Sequence, residues 1–278
     1  MKPWNDPFPE KTAARIAILD LASDENSSYL TGTSEAPPLI HQAFHSPSSN
    51  LWTEGGIDLG KEGLFVDGEI IHKGREKEWD SEIETLARRI LEQDLRLLAL
   101  GGDHSVTFPL LRAMAKKFPN LSILHFDAHP DLYDQFEGNP HSHASPFARI
   151  MEQGLAQRLV QVGIRTMNGH QKQQAERFGV EVIPMQDFRD DLVLHFSTPV
   201  YISFDLDALD PAFAPGVSHW EPGGLSTRQA LRLIQALDAP LVAADIVEFN
   251  PRVESQITAR VAAKLMKELS GKMLADPK

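Results

Sequence analysis

Three short stretches of the chain concentrate side chains that hold metals and move protons: GGDHS at residues 101–105, DAHPD at 127–131 and SFDLDALDP at 203–211. In the second, Asp127, His129 and Asp131 stand at i, i+2 and i+4, a spacing that sends side chains to one face of an extended backbone. The third repeats the i, i+2 spacing with Asp205 and Asp207, and the first offers His104 behind two glycines. Each follows an apolar run. Like-facing titratable groups at the end of a buried strand are costly unless something neutralises them. His125 shares the parity of its neighbours but reads as a core or supporting histidine, not a ligand. A quieter stretch, DIVEFNP at 245–251, adds Asp245 and Glu248.

With both imidazoles neutral, His104, Asp127, His129, Asp131, Asp205 and Asp207 carry a formal −4, which two divalent cations cancel. Six ligands exceed what one tetrahedral zinc needs and suit two metals bridged by shared carboxylates. An oxygen-rich set with two imidazoles favours Mn²⁺ and leaves zinc, cobalt, nickel and iron open. A two-metal site lowers the pKa of a bridging water and presents it as a nucleophile. Counted as hydroxide, that water brings the cluster to about −1, and Glu248 brings it to about −2. Such a site repels a phosphoester and welcomes a cation. Hydrolysis at a positively charged carbon, as in a guanidinium, follows.

The elements around these residues alternate. RIAILDL (15–21), LRLLALGG (95–102), LSILHFDAH (121–129), LVQVGIR (159–165), VEVIPM (180–185), PVYISFDLD (199–207) and PLVAADIVEFN (240–250) read as strands. Helical periodicity covers 81–94, 105–118, 147–157, 170–178, the stretch after Ser226, and 255–269. Ser81 with Glu84, and Ser226 with Gln229, fit capping boxes. Residues 22–73 read as loop-rich. The alternation predicts an α/β fold, a mostly parallel sheet between helical layers in one domain over 1–278. Ligands in such folds bind beyond the carboxyl ends of the strands, where the reactive stretches lie.

Composition narrows the function. Among 278 residues the formal net charge is −12, which argues against a nucleic-acid partner. There is no cysteine, so metal ligands come from His, Asp or Glu. No apolar signal-peptide core and no run of about eighteen apolar residues stands in the sequence, so no membrane partner and a cytoplasmic location are expected.

In their order and spacing, GGDHS, DAHPD, SFDLDALDP, PGVSHWEPGG and DIVEFNP resemble the ureohydrolases, the arginase/agmatinase family. FEGNPHSHASPFARIMEQGLAQRLVQVGIR is most similar to the plant-type arginases, a branch close to the agmatinases. The resemblance implies a three-layer α/β/α domain with about eight mostly parallel strands. It implies one Mn²⁺ on His104, Asp127, Asp131 and Asp205 and a second on His129, Asp127, Asp205 and Asp207, bridged by Asp127 and Asp205. Asp131 would also accept a hydrogen bond from the nucleophile, and Glu248 would bind a guanidinium. His143 would pass a proton to the leaving amine, with His141 as the competing histidine. His219 and Trp220 would wall the site. Asn139, Ser145 and Asn168 are candidate contacts to the substrate's tail. The implied reaction releases urea and an amine from a cationic guanidino compound: arginine to ornithine, or alternatively agmatine to putrescine, with guanidinobutyrate and free guanidine open. The rivals are another binuclear hydrolase and a catalytically silent metal-binding homologue. A homo-oligomer, trimer or hexamer, is implied by resemblance alone.

Overall fold

In the computed structural model, residues 15–61, 64–72 and 79–275 are described. Eight strands, β1 (Ile16–Ala22), β2 (Phe65–His72), β3 (Arg96–Gly101), β4 (Ser122–Phe126), β5 (Arg158–Ile164), β6 (Glu181–Pro184), β7 (Val200–Asp205) and β8 (Leu241–Val247), form one sheet. Their order is β2-β1-β3-β8-β7-β4-β5-β6, and every neighbouring pair is parallel.

Alternate residues of each strand feed two cores. Ile16 and Ile18 of β1 pack on one side with Ile40 and Phe44 of α1 (Ala36–Phe44), Ile234 of α6 (Thr227–Ala236) and Leu265 of α7 (Ile257–Ala275). Ala17, Leu19 and Leu21 belong to the core on the other side, which also holds Ile83 of α2 (Trp79–Glu92), Leu110 of α3 (Thr107–Lys117), Phe147 of α4 (Pro146–Glu152) and Ala175 of α5 (Gly169–Phe178). Burial on both faces explains why these strands are almost uninterruptedly apolar.

Several boundaries differ from the pattern reading. The stretch taken as loop-rich contains α1 and β2. Helix α2 begins at Trp79, so Ser81 lies inside it, and Glu84 pairs with Arg112 and Lys116 of α3 instead of closing a capping box. Tertiary ion pairing has taken the residue that local pattern assigned to a cap. Ser226 and Gln229 do form the expected box at the start of α6. Helix α4 stops at Glu152, just before Gly154 turns with φ 62°, and α7 runs on to Ala275.

The turn after β3 fixes the geometry of the carboxyl-end surface. The Gly102 carbonyl accepts a bond from Glu248 N at 2.8 Å, and Asp103 N donates to the Ser23 carbonyl at 2.8 Å. The turn is thus threaded between the exits of β1 and β8. A Cβ on Gly102 would stand 1.8 Å from the Ser23 carbonyl oxygen, a backbone atom with no room to yield. Gly102→Ala is therefore expected to lower unfolding stability by at least ~2 kcal/mol. Thermal unfolding measures this, and an unchanged midpoint would contradict the close approach.

Candidate active site

The four reactive stretches leave β3, β8, β7 and β4, neighbours at the centre of the sheet, and so meet above its carboxyl edge. His104 begins a short 3-10 turn capped by Asp103, whose Oδ1 accepts the Ser105 N–H at 3.0 Å. The His104 ring is fully buried. Its Nε2–H donates to Ser203 Oγ at 2.9 Å, and Ser203 Oγ donates to Asp245 Oδ1 at 2.8 Å. Asp245 Oδ2 is held by Thr107 Oγ1 at 2.8 Å and Tyr201 OH at 2.6 Å. Because the single serine proton goes to the carboxylate, Ser203 accepts from the imidazole and the His104 proton sits on Nε2. Nδ1 therefore presents a lone pair. It points at Asp127 Oδ2, Asp131 Oδ2 and Asp205 Oδ2, each 3.2 Å away, yet completes a hydrogen bond with none. A lone pair facing three carboxylate oxygens is repulsive unless a cation lies between them, so this donor set fits a metal ion.

The second half of the cluster is built the same way. His129 Nδ1 lies 3.1 Å from Asp207 Oδ2 and 3.4 Å from Asp127 Oδ1. Asp127 thus turns one oxygen to each histidine, as a bridging ligand would. Asp205 directs Oδ2 to His104 and accepts the Asp207 N–H on Oδ1 at 2.8 Å. His125 completes a triangle of donor atoms with His104 and Asp127, which by distance alone makes it a metal candidate. Hydrogen bonding argues otherwise. Gln161 Nε2 donates to the Pro130 carbonyl at 2.7 Å and to His125 Nδ1 at 3.0 Å, so the His125 proton is on Nε2, donated to Asp127 Oδ2 at 2.9 Å. Neither His125 nitrogen keeps a lone pair for a metal.

The charges are out of balance without a cation. Burial, then the Asp207 and Asp127 charges, hold the Asp205 carboxyl well above the usual range, and burial and Asp127 raise Asp131. Burial opposes charge on the His129 ring, yet Asp207 and Asp127 push it up to about 12. Burial likewise opposes the His104 cation, and its three carboxylates still raise its pKa well above the ordinary value. The cradle takes up positive charge in whatever form is offered.

The parity argument for DAHPD does not survive. Strand β4 ends at Phe126, so Asp127, His129 and Asp131 converge from a loop, with Asp131 in the left-handed region at φ 50°. That loop packs closely against β5, which bulges at Gly163 (φ 103°), where a Cβ would meet the Asp127 carbonyl at 2.8 Å. Glu248 is also left-handed, at φ 64°, an uncommon conformation for glutamate that is found where a site imposes it.

Glu248 and the cluster open into one cavity of about 170 Å³, lined also by Ser28, Tyr133, Phe136, His143, Thr166, Gln171 and His219. Glu248 Oε1 accepts His104 N–H and His143 Nδ1–H, both at 2.9 Å, and does not pair with Arg252, which bonds Glu35. No described residue bonds its Oε2. Burial raises the Glu248 pKa, but the His143 charge outweighs it and the net shift is downward. Burial opposes charge on His143, while Glu248 and then Asp131 push it up to about 9. His143 Nε2 meets Ser28 Oγ at 2.8 Å. His141 faces Asp80 at 3.5 Å, outside the cavity.

The arginase family model matches residues 14–271. The chain belongs to the arginase family. Arginase 1, mitochondrial, of Arabidopsis thaliana is 45% identical, with 94% of this chain and 81% of that protein covered. A Medicago truncatula arginase structure superposes with a TM-score of 0.88 at 42% identity, covering 94% and 88% of the two chains. An N(1)-aminopropylagmatine ureohydrolase of Thermus thermophilus is 36% identical, with 88% and 87% covered. The protein is accordingly a metal-dependent amidinohydrolase.

Of the residues expected to hold an arginase-family substrate by its tail, none of Asn139, Ser145 and Asn168 lines the cavity. Asn139 bonds Asn26, Ser145 is fully buried before α4, and Asn168 caps α5. His219 lines the cavity, whereas Trp220 is 57% exposed and donates to the Pro215 carbonyl. Sequence reading passed over Ser203 and Gln161. Ser203 shares strand parity with Asp205 and could have been found, whereas nothing local marks Ser28 or Gln161.

Two outcomes test the cluster. Ser203→Ala should leave the His104 Nε2–H unpaired and weaken Mn²⁺ binding about 10–100-fold in a chelator competition. An unchanged affinity would show that the Asp245 line does not orient the ring. Burial opposes charge on His104 and His129, but the surrounding carboxylates raise both pKa values, so metal binding should displace protons from the site and strengthen as pH rises. Calorimetry in buffers of different ionisation enthalpy reads this directly; a buffer-independent heat contradicts it.

Proposed function

We propose that this chain hydrolyses L-arginine to L-ornithine and urea with two Mn²⁺ ions. The reading rests on one observation: a carboxylate cradle around a histidine lone pair shares a cavity with a glutamate whose second oxygen is unclaimed among the described residues. His104, Asp127, Asp131 and Asp205 would hold one ion, and His129, Asp127, Asp205 and Asp207 the other. The metals would supply Lewis acidity and lower the pKa of the attacking water. Glu248 receives the guanidinium on Oε2 while His104 N–H and His143 fix Oε1. Water adds to the guanidinium carbon, the bond to the alkyl-bearing nitrogen breaks, and that nitrogen leaves with a proton. Asp131 and His143 flank the cavity where that proton must travel; His143 donates Nδ1–H to Glu248 while its Nε2 accepts the Ser28 N–H at 3.2 Å, and Glu248 raises its pKa to about 9 against the cost of burial, which suits it to passing a proton.

Arginine is preferred because the plant relatives at 44–45% identity are named arginases. A second reading, an agmatine-type substrate, is favoured by the Thermus relatives named for aminopropylagmatine. The Mn²⁺-loaded protein should release urea from arginine faster than from agmatine. Glu248→Gln should lower kcat/KM by about 10²–10³-fold with metal content unchanged, since an anchoring charge inside a desolvated site is lost. The opposite substrate order would favour the second reading, and no urea from any guanidine would overturn both.

A further inference from the structure

His143 is only 8% exposed, yet a group that gives up and regains protons during turnover needs a path to water. Both of its ring nitrogens are engaged. Nδ1 donates to Glu248 Oε1 on the inner side. Among the described residues Nε2 bonds only Ser28, with its N–H at 3.2 Å and its Oγ at 2.8 Å. Ser28 is exposed while also lining the cavity, and Tyr29 beside it is 68% exposed. The hydrogen-bonded way from the buried ring to solvent therefore runs through one serine.

The two groups of Ser28 differ in what they can do. Its N–H can only donate, so it serves Nε2 while that nitrogen keeps a lone pair. Its hydroxyl donates to the lone pair and equally accepts from Nε2–H once the ring is a cation. A proton passed from Oγ to Nε2 is replaced on Oγ by one from water, and the reverse transfer leaves the same way. The serine ends each exchange unchanged.

Asn26 builds the seat for this hydroxyl. Its N–H donates to Asp103 Oδ2 at 2.9 Å and its Nδ2 to Ser105 Oγ at 3.0 Å, which ties the segment after β1 to the turn after β3. Its carbonyl accepts the His143 N–H at 3.1 Å, and its Oδ1 accepts Asn139 Nδ2–H at 3.0 Å. One side chain and its peptide thus hold the serine's segment against the segment that carries the histidine. None of these bonds involves a side chain of the metal cluster. We propose that the Ser28 hydroxyl relays protons between the buried His143 ring and solvent during hydrolysis, and that Asn26 seats it. Both are positioning residues: Asn26 acts through Ser28, and Ser28 through His143. The inference rests on the proposed function, in which His143 passes a proton.

The test compares Ser28→Val with Ser28→Thr in the Mn²⁺-loaded protein, on whichever of arginine and agmatine the wild type hydrolyses faster. Valine and threonine share one shape and the backbone N–H, so the pair differs in the hydroxyl alone. In Ser28→Val, kcat should fall about tenfold or more with KM and metal content little changed, and added imidazole, a small proton carrier, should restore it in a concentration-dependent way. Ser28→Thr should keep most of the wild-type kcat and gain nothing from imidazole. Exchange of the His143 ring protons with water, read by nuclear magnetic resonance on the metal-free protein, should be slower in Ser28→Val than in Ser28→Thr. An undiminished kcat in Ser28→Val, an equal loss in both variants, a loss that imidazole does not restore, or equal ring-proton exchange overturns the relay. No urea from either guanidine in the wild type overturns the functional reading beneath it.

Discussion

The contact on which the carboxyl-edge surface depends is the one between the His104 Nδ1 lone pair and the three carboxylate oxygens around it. Nothing in ordinary folding rewards that arrangement, because burying several anions beside an unprotonated nitrogen raises the free energy of the native state. Without metal, protons partly relieve it, which is why the histidine pKa values rise and those of Asp131 and Asp205 follow. The protein maintains this frustration by hydrogen bonds outside the cluster. Asp245, Ser203 and Tyr201 aim one histidine, while Gln161 and Pro130 withhold His125 from the metal set. The same orienting logic, a hydrogen bond on one ring nitrogen deciding what the other can do, governs both.

The parallel sheet makes such a cluster affordable. Strands buried on both faces are stiff and close-packed, and their carboxyl ends deliver loops from β3, β8, β7 and β4 to a common point. Several strained residues lie at that point. Asp131 and Glu248 adopt left-handed backbone, and Gly102 and Gly163 stand where a side chain would collide with neighbouring backbone. These are positions where local preference yields to the geometry of the site.

The cavity gathers Glu248, Asp131, Asp205 and Asp207 on its lining, so it is complementary to a cationic group.

The parallel α/β architecture, the metal ligands as candidates and the carboxylate at Glu248 were legible in the chain itself, because apolar runs ending in His and Asp leave few alternatives. Their charge alone called for cations. The parity proposed for DAHPD was not correct, since the strand ends at Phe126 and the loop packs against the bulge at Gly163. Neither helix α1 nor strand β2 was recognised, and Glu84 was assigned to a cap although its ion-pair partners lie on α3. Sequence determined which groups must be neutralised. Tertiary structure alone decided which nitrogen of His104 carries the lone pair and which nitrogen of His125 carries the proton. Both turn on hydrogen bonds between segments as much as 99 residues apart, which no local pattern records.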